Sequence, residues 1–157
     1  MLDILKQDLE EIKKSQEFKE WKDKHSRAYL CGAFLDKNWQ IDFYDPNTDK
    51  ITTFHIDNKV LFEEGEVFKS KHKIKELNLN KVKIDLEKAL DIIKKLIDEK
   101  YNHQEETNKI IILQHLDRQV WNITYVMRSL SILNVKIDAE TGKIIHEDYG
   151  QLLSFKK

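Results

Sequence analysis

The chain has 157 residues, 40% of them apolar and 35% charged, a balance that supports a packed core under a heavily solvated surface and argues against disorder. Its net charge of −1 supplies no global field for nucleic acid or an anionic membrane, and Arg27, Arg118 and Arg128 are the only residues suited to bidentate phosphate contacts. Cys31 is the sole cysteine, so no intrachain disulfide can form.

Leu2, Leu5, Leu9 and Ile12 recur at helical spacing with charges between them, which predicts an amphipathic helix. Phe18, Trp21 and His25 form a second stripe on roughly the opposite side. Either the helix breaks near Ser15, or its two ends bury against different things, the first turns against a partner or a second subunit. The apolar residues of this segment are spaced and its acids begin at Asp3, unlike a secretory leader. The longest apolar runs, such as Ile110–Leu113, are too short to span a bilayer. A cytoplasmic protein with no membrane span is the expectation.

From Ala28 the period becomes two. Ala28–Leu35 is apolar on both faces and predicts a well-buried strand. In Asn38–Asp45, Trp39, Ile41 and Phe43 share one face. Pro46–Asp49 has turn chemistry, and Lys50–Ile56 returns as the second arm of a hairpin. Lys59–Phe68 predicts a strand interrupted at Gly65, or a strand followed by a turn. Lys69–Val82 is a basic connector anchored by Leu77, Leu79 and Val82, without the composition of a flexible linker.

Asp85–Tyr101 is the clearest helix. Asp85 is placed as N-cap, and Leu86, Ala89, Leu90, Ile93, Leu96 and Ile97 form one apolar face. The polar segment Asn102–Asn108 ends it. Three strands follow: Lys109–Leu116, Gln119–Met127 and Ser131–Ala139. Asp138–Gly142 is a tight turn in which Gly142 can take positive φ, and Lys143–Glu147 closes the hairpin. Tyr149, Leu152, Leu153 and Phe155 are apolar enough to dock back onto the body.

The halves echo each other. Both carry Asp-x-x-Thr-x-Lys-Ile (Asp45 to Ile51, Asp138 to Ile144) and a Trp-x-Ile-x-aromatic strand (Trp39, Ile41, Phe43; Trp121, Ile123, Tyr125). The spacing between the two features differs, so aligning one misaligns the other. The organisation suggested is residues 1–80, a helix plus antiparallel sheet, and residues 81–157, a second such unit.

Three stretches of the second half resemble a PepSY domain: the helix Val82–Tyr101 with Ala89 as its small packing residue, the aromatic strand Trp121–Tyr125, and the hairpin Val135–Ile145. The resemblance implies an α+β fold of tandem, PepSY/cystatin-like units, each one main helix on a three- to four-stranded antiparallel sheet, with 1–80 as a divergent copy. PepSY domains occur in propeptides of thermolysin-like proteases and in bacterial envelope proteins. The family shares no catalytic residues, so none carries over.

The residues themselves offer little catalytic chemistry. His25, His55, His72, His103, His115 and His146 show no metal-ligand spacing. His55 with Asp57, and His115 with Asp117, lie two apart and would share a strand face as acid/base or ligand pairs. Cys31 sits in an apolar strand with nothing nearby to activate it. No glycine loop cradles phosphate, and Lys69–Lys83 is the one basic cluster, with a solvated connector as its simplest role. No catalytic, cofactor or metal residue is therefore assigned. Two classes fit: a non-enzymatic module binding a protein, a peptide or a second copy of itself through a sheet face or edge, including a peptidase-regulating or chaperone-like one; or a small ligand-binding protein or enzyme with a pocket between helix and sheet.

Overall fold

Ser15 divides the N-terminal helical segment. Its backbone is extended (φ −71°, ψ 151°), so α1 (Leu2–Lys14) stops and α2 (Gln16–Lys24) starts anew. The Ser15 hydroxyl donates to the carbonyl of Ile12 at 2.6 Å and accepts from the Phe18 amide at 3.2 Å, serving a group at each helix end. The computed structural model describes residues 1–66, 73–102 and 104–151. They divide into two units, Met1–Asn78 and Leu79–Lys157.

In the first unit β1 (Tyr29–Leu35), β2 (Trp39–Asp45), β3 (Lys50–Asp57) and β4 (Lys59–Glu66) form an antiparallel meander. Trp39, Ile41, Phe43 and Phe54 turn inward and are buried, and Phe18 and Trp21 of α2 meet Phe43 and Phe54 edge-on or tilted at 5.1–5.9 Å. Leu2, Leu5, Leu9 and Ile12 are buried as well, and α1 packs over β2 and β3. The apolar stripe of α1 is thus used within its own unit, which corrects its reading as a docking face for a partner.

Two further expectations are corrected here. β4 runs unbroken through Gly65, which pairs with Ile51 across β3, because a glycine in a strand need not end it when the ladder continues. The remainder of the predicted Lys59–Phe68 segment, Val67 and Phe68, lies outside the described residues. β1 is only half-buried along most of its length, with Gly32 and Ala33 its buried positions. The connector is tied down at Leu77, whose amide donates to the Leu30 carbonyl at 2.9 Å and whose side chain is buried.

The second unit opens with a 3₁₀ turn and then α3 (Leu86–Lys100), capped by Asp85, whose carboxylate accepts from the Leu86 amide at 2.6 Å. Leu86, Ala89, Ile93 and Ile97 are buried at 3.6-residue spacing. Each large aliphatic contributes about 1.5–3 kcal/mol relative to exposure. Beneath them β5 (Glu106–His115), β6 (Gln119–Met127), β7 (Ser131–Asp138) and β8 (Ile144–Gln151) form a second antiparallel meander. Leu113, Trp121 and Ile137 lie in one row of it and Ile111, Ile123 and Val135 in the next, all buried. Trp121 satisfies its indole by donating to the Ile84 carbonyl at 2.8 Å.

β5 starts three residues earlier than the apolar pattern indicated, and β8 extends to Gln151 rather than ending at Glu147. Tyr149 lies within β8, stacked on Tyr101 at 4.5 Å, while Leu152, Leu153 and Phe155 lie outside the described residues. Gly142 does take positive φ, at 84°. Each unit therefore places helix over a four-stranded antiparallel sheet, and the protein is of mixed α and β class.

Candidate functional site

The two Asp-x-x-Thr turns are built alike. Asp138 accepts from the amides of Glu140 (2.8 Å) and Thr141 (3.2 Å), and its carbonyl receives the Gly142 amide. Asp45 accepts from the Asn47 amide at 2.8 Å, and its carbonyl receives the amide of Asp49, which holds φ at 55°. Each carboxylate is buried and has a cationic or titratable partner: Arg118 at 3.1 Å for Asp138, and His25 Nδ1 at 2.7 Å for Asp45. Burial pushes both carboxyls up, but the turn amides and these partners outweigh it and hold both below the ordinary Asp value. The turns sit differently in the two meanders, between β2 and β3 in one and β7 and β8 in the other.

His25–Asp45 is the histidine–carboxylate pair that the structure assembles, and the sequence reading missed it. Asp45 continues the inward parity of Trp39, Ile41 and Phe43, and a carboxylate in that phase must find a partner; that was the available signal. His25 also stacks on Trp21 at 4.7 Å. The pair closes α2 onto the β2–β3 turn.

The pairs suggested by spacing fare otherwise. His55 is half-buried on β3 with Asp57 exposed at the strand end, and Asp117 falls in the β5–β6 turn after the strand bearing His115 has ended. His146 is exposed on β8, opposite Lys136. His72 and His103 lie outside the described residues. Among the described residues no three His, Cys, Asp or Glu side chains gather into a group able to hold a metal ion. The Cys31 thiol is pushed well up by burial and by the neighbouring Asp42 carboxylate, opposite to what a nucleophile needs. Trp39, Trp121 and Tyr125 are buried.

Two open grooves are seen among the described residues. One, of about 720 Å³, runs beside β4: Lys6, Glu10 and Lys14 of α1 overhang it and Val60 forms part of its wall. Among the described residues β4 pairs only with β3, and its Phe62 is 46% exposed, leaning on Phe54 at 5.2 Å. The other, of about 500 Å³, lies in the second unit between α3 and the strands β5 and β6. Leu90, Ile97 and Tyr125 are among its apolar lining, with Asp91, Asp98, Glu105 and Glu106 around it and Lys94 and Lys109 between them. The sequence allows for a pocket between helix and sheet, but does not indicate which residues would line either groove.

Helices laid on antiparallel meanders with apolar inner faces define a protein of mixed α and β class. Residues 83–147 match the family described as Peptidase propeptide and YPEB domain, so the second unit carries a PepSY domain, from α3 to the first half of β8. The crystal structure of a candidate lipoprotein from Clostridium difficile 630 superimposes with a TM-score of 0.55, over 85% of this chain and 90% of its own, at 16% identity. That likeness is one of fold, and it extends well beyond the PepSY match. No curated protein matches the chain significantly. No helix among the described residues is long and apolar enough to cross a membrane.

Proposed function

We propose that this chain is a non-enzymatic polypeptide-binding module that holds an extended segment of its partner along the β4 edge, and that its partner is a peptidase it regulates or a chain it helps to fold. The observation that carries the reading is β4 itself. It is an eight-residue strand paired on one side among the described residues, with an exposed aromatic and a groove under α1 beside it. An added strand would gain ladder hydrogen bonds from the β4 backbone and seat alternate side chains against Val60 and Phe62. The PepSY match, a family described by its peptidase propeptides, supports a polypeptide partner.

We further propose that residues 1–80 are a divergent copy of the PepSY plan. Both units run helix, then four antiparallel strands, and the first hairpin turn of each is closed by the same backbone bond, Asp36 amide to Asn38 carbonyl and Leu116 amide to Arg118 carbonyl. A cytoplasmic location is the reading that the single Cys31 supports, and cell fractionation tests it.

Peptides selected from a display library against the full chain test the binding role. Selected peptides should alternate apolar and polar residues, protect the amides of Val60–Glu64 from hydrogen exchange, and lose at least about tenfold in affinity on Phe62→Lys, which places a charge on the edge. Ligands that bind Phe62→Lys as well as the native chain, or that leave β4 amides unprotected, refute the edge. The second class of function, a pocket between helix and sheet, has one observation in its favour, the groove at Tyr125.

A further inference from the structure

The described structure records a hydrogen-bond partner for every tyrosine hydroxyl but one. Tyr29 donates to the Ile74 carbonyl, Tyr44 to Asp49 and Tyr101 to Glu147, while Tyr149 accepts from Gln104. Tyr125 is the exception: it is 3% exposed, lines the groove beside α3, and its hydroxyl has no hydrogen-bond partner among the described residues. The side chain is buried but its hydroxyl is not among the buried unpartnered atoms, so the oxygen is the part of Tyr125 left accessible at the groove, where a ligand's donor can reach it.

The surroundings say what kind of ligand. The lining has four carboxylates, Asp91, Asp98, Glu105 and Glu106, against two ammonium groups, Lys94 and Lys109. Arg128 pairs with Glu105 at 3.1 Å, but both side chains are mostly exposed and the pair is screened. Lys109 shows how a cation sits here, with its ammonium 5.8 Å from the centre of the Tyr125 ring and 3.2 Å from Glu106. The chain's own lysine thus already occupies a cation–π position over the buried ring.

We propose that this groove receives an arginine side chain presented by a partner polypeptide. The aliphatic stem lies on Leu90 and Ile97, the guanidinium sits at the hydroxyl end of Tyr125, and its N–H groups reach the Tyr125 oxygen and the Asp91 carboxylate. Arginine fits better than lysine because its flat, weakly hydrated cation presents several donors in fixed directions to separate acceptors. This site is distinct from the β4 edge, so either can fail without the other.

The test is an NMR titration of the full chain with three end-capped tripeptides: Ala-Arg-Ala, its citrulline isostere and Ala-Glu-Ala. The arginine peptide should bind in the millimolar range and shift the signals of Tyr125, Lys109, Leu90 and Ile97. The citrulline peptide, equal in shape but uncharged, should bind at least about fivefold more weakly, and the glutamate peptide should leave the groove unshifted. Tyr125→Phe and Asp91→Asn should each weaken arginine binding about three- to tenfold, whereas Phe62→Lys should leave it unchanged. Tyr125→Phe also gives a readout that a purely structural hydroxyl would not: losing an unpartnered phenol should leave the thermal midpoint unchanged or raise it. Equal binding of the arginine and citrulline peptides, shifts confined to other surfaces, no shift at millimolar peptide, unaltered affinity of Tyr125→Phe, or a lowered midpoint for that variant overturns the proposal.

Discussion

Asp138→Ala removes the acceptor that organises the β7–β8 turn. Two backbone amides, those of Glu140 and Thr141, lose a charged acceptor at 2.8 and 3.2 Å. A hydrogen bond to a charged group contributes about 1.5–3 kcal/mol. In this turn the contribution falls at the lower end of that range, because Glu140 and Thr141 are exposed and water can replace the carboxylate at their amides. The Arg118 contact adds little, since that side chain is 54% exposed. The expected loss is about 2 kcal/mol for Asp138→Ala and about 1 kcal/mol for Asp138→Asn, which keeps one acceptor oxygen. Urea unfolding followed by Trp121 fluorescence reads the effect in the same unit, because β6 pairs directly with β7. Hydrogen exchange at Glu140 and Thr141 localises it. Because the Asp138 carboxyl is held below its ordinary value of 3.8, its contribution is complete above that pH and is lost as pH falls through the lower folded value. Asp138→Asn should therefore flatten the acid limb of the stability profile. A loss for Asp138→Ala under about 0.5 kcal/mol, or an acid limb unchanged in Asp138→Asn, would refute the view that this carboxylate holds the turn.

Gly142 and Leu130 occupy the same left-handed backbone region, at φ 84° and 65°, and should respond oppositely to exchange. Gly142→Ala should destabilise by about 1 kcal/mol or more, its new Cβ lying 3.4 Å from Ile84; Leu130→Asn, at a site 61% exposed, should stabilise by about 0.5–1 kcal/mol in thermal melts. Cys31 should react with an aromatic disulfide reagent at least about tenfold more slowly than a free thiol, and denaturant should abolish the difference. The Asp42 carboxyl is raised by burial, against a 2.6 Å hydrogen bond from Thr53. Its ionised form therefore opposes folding at neutral pH, so Asp42→Asn should raise the melting midpoint there, and the gain should shrink as the pH falls through the raised folded value.

Local periodicity and turn chemistry are written in consecutive residues, and those elements could be read directly. The apolar face of α3 follows from a 3.6-residue period, the Asp85 cap from a carboxylate ahead of the first turn, and the positive φ of Gly142 from the absence of a Cβ. The two apolar stripes around Ser15 leave either a break or one helix with differently buried ends, and the extended backbone of Ser15 decides for the break. The PepSY resemblance rested on the same short-range patterns, and it proved correct for residues 83–147.

What the tertiary structure alone decided depends on side chains far apart in the chain. His25 meets Asp45 because α2 ends over the β2–β3 turn, whereas His55 and Asp57, close in sequence, share no comparable environment. The burial of β1 could not be deduced from its apolar content, because cover is supplied by neighbours and not by the strand itself. Tyr125 shares its parity with Trp121 and Ile123, and nothing in the pattern distinguishes them. Trp121 finds the Ile84 carbonyl, Ile123 needs no partner, and Tyr125 reaches a groove whose walls come from α3, β5 and β6. Periodicity specifies the face on which a residue lies; only packing specifies what it meets there.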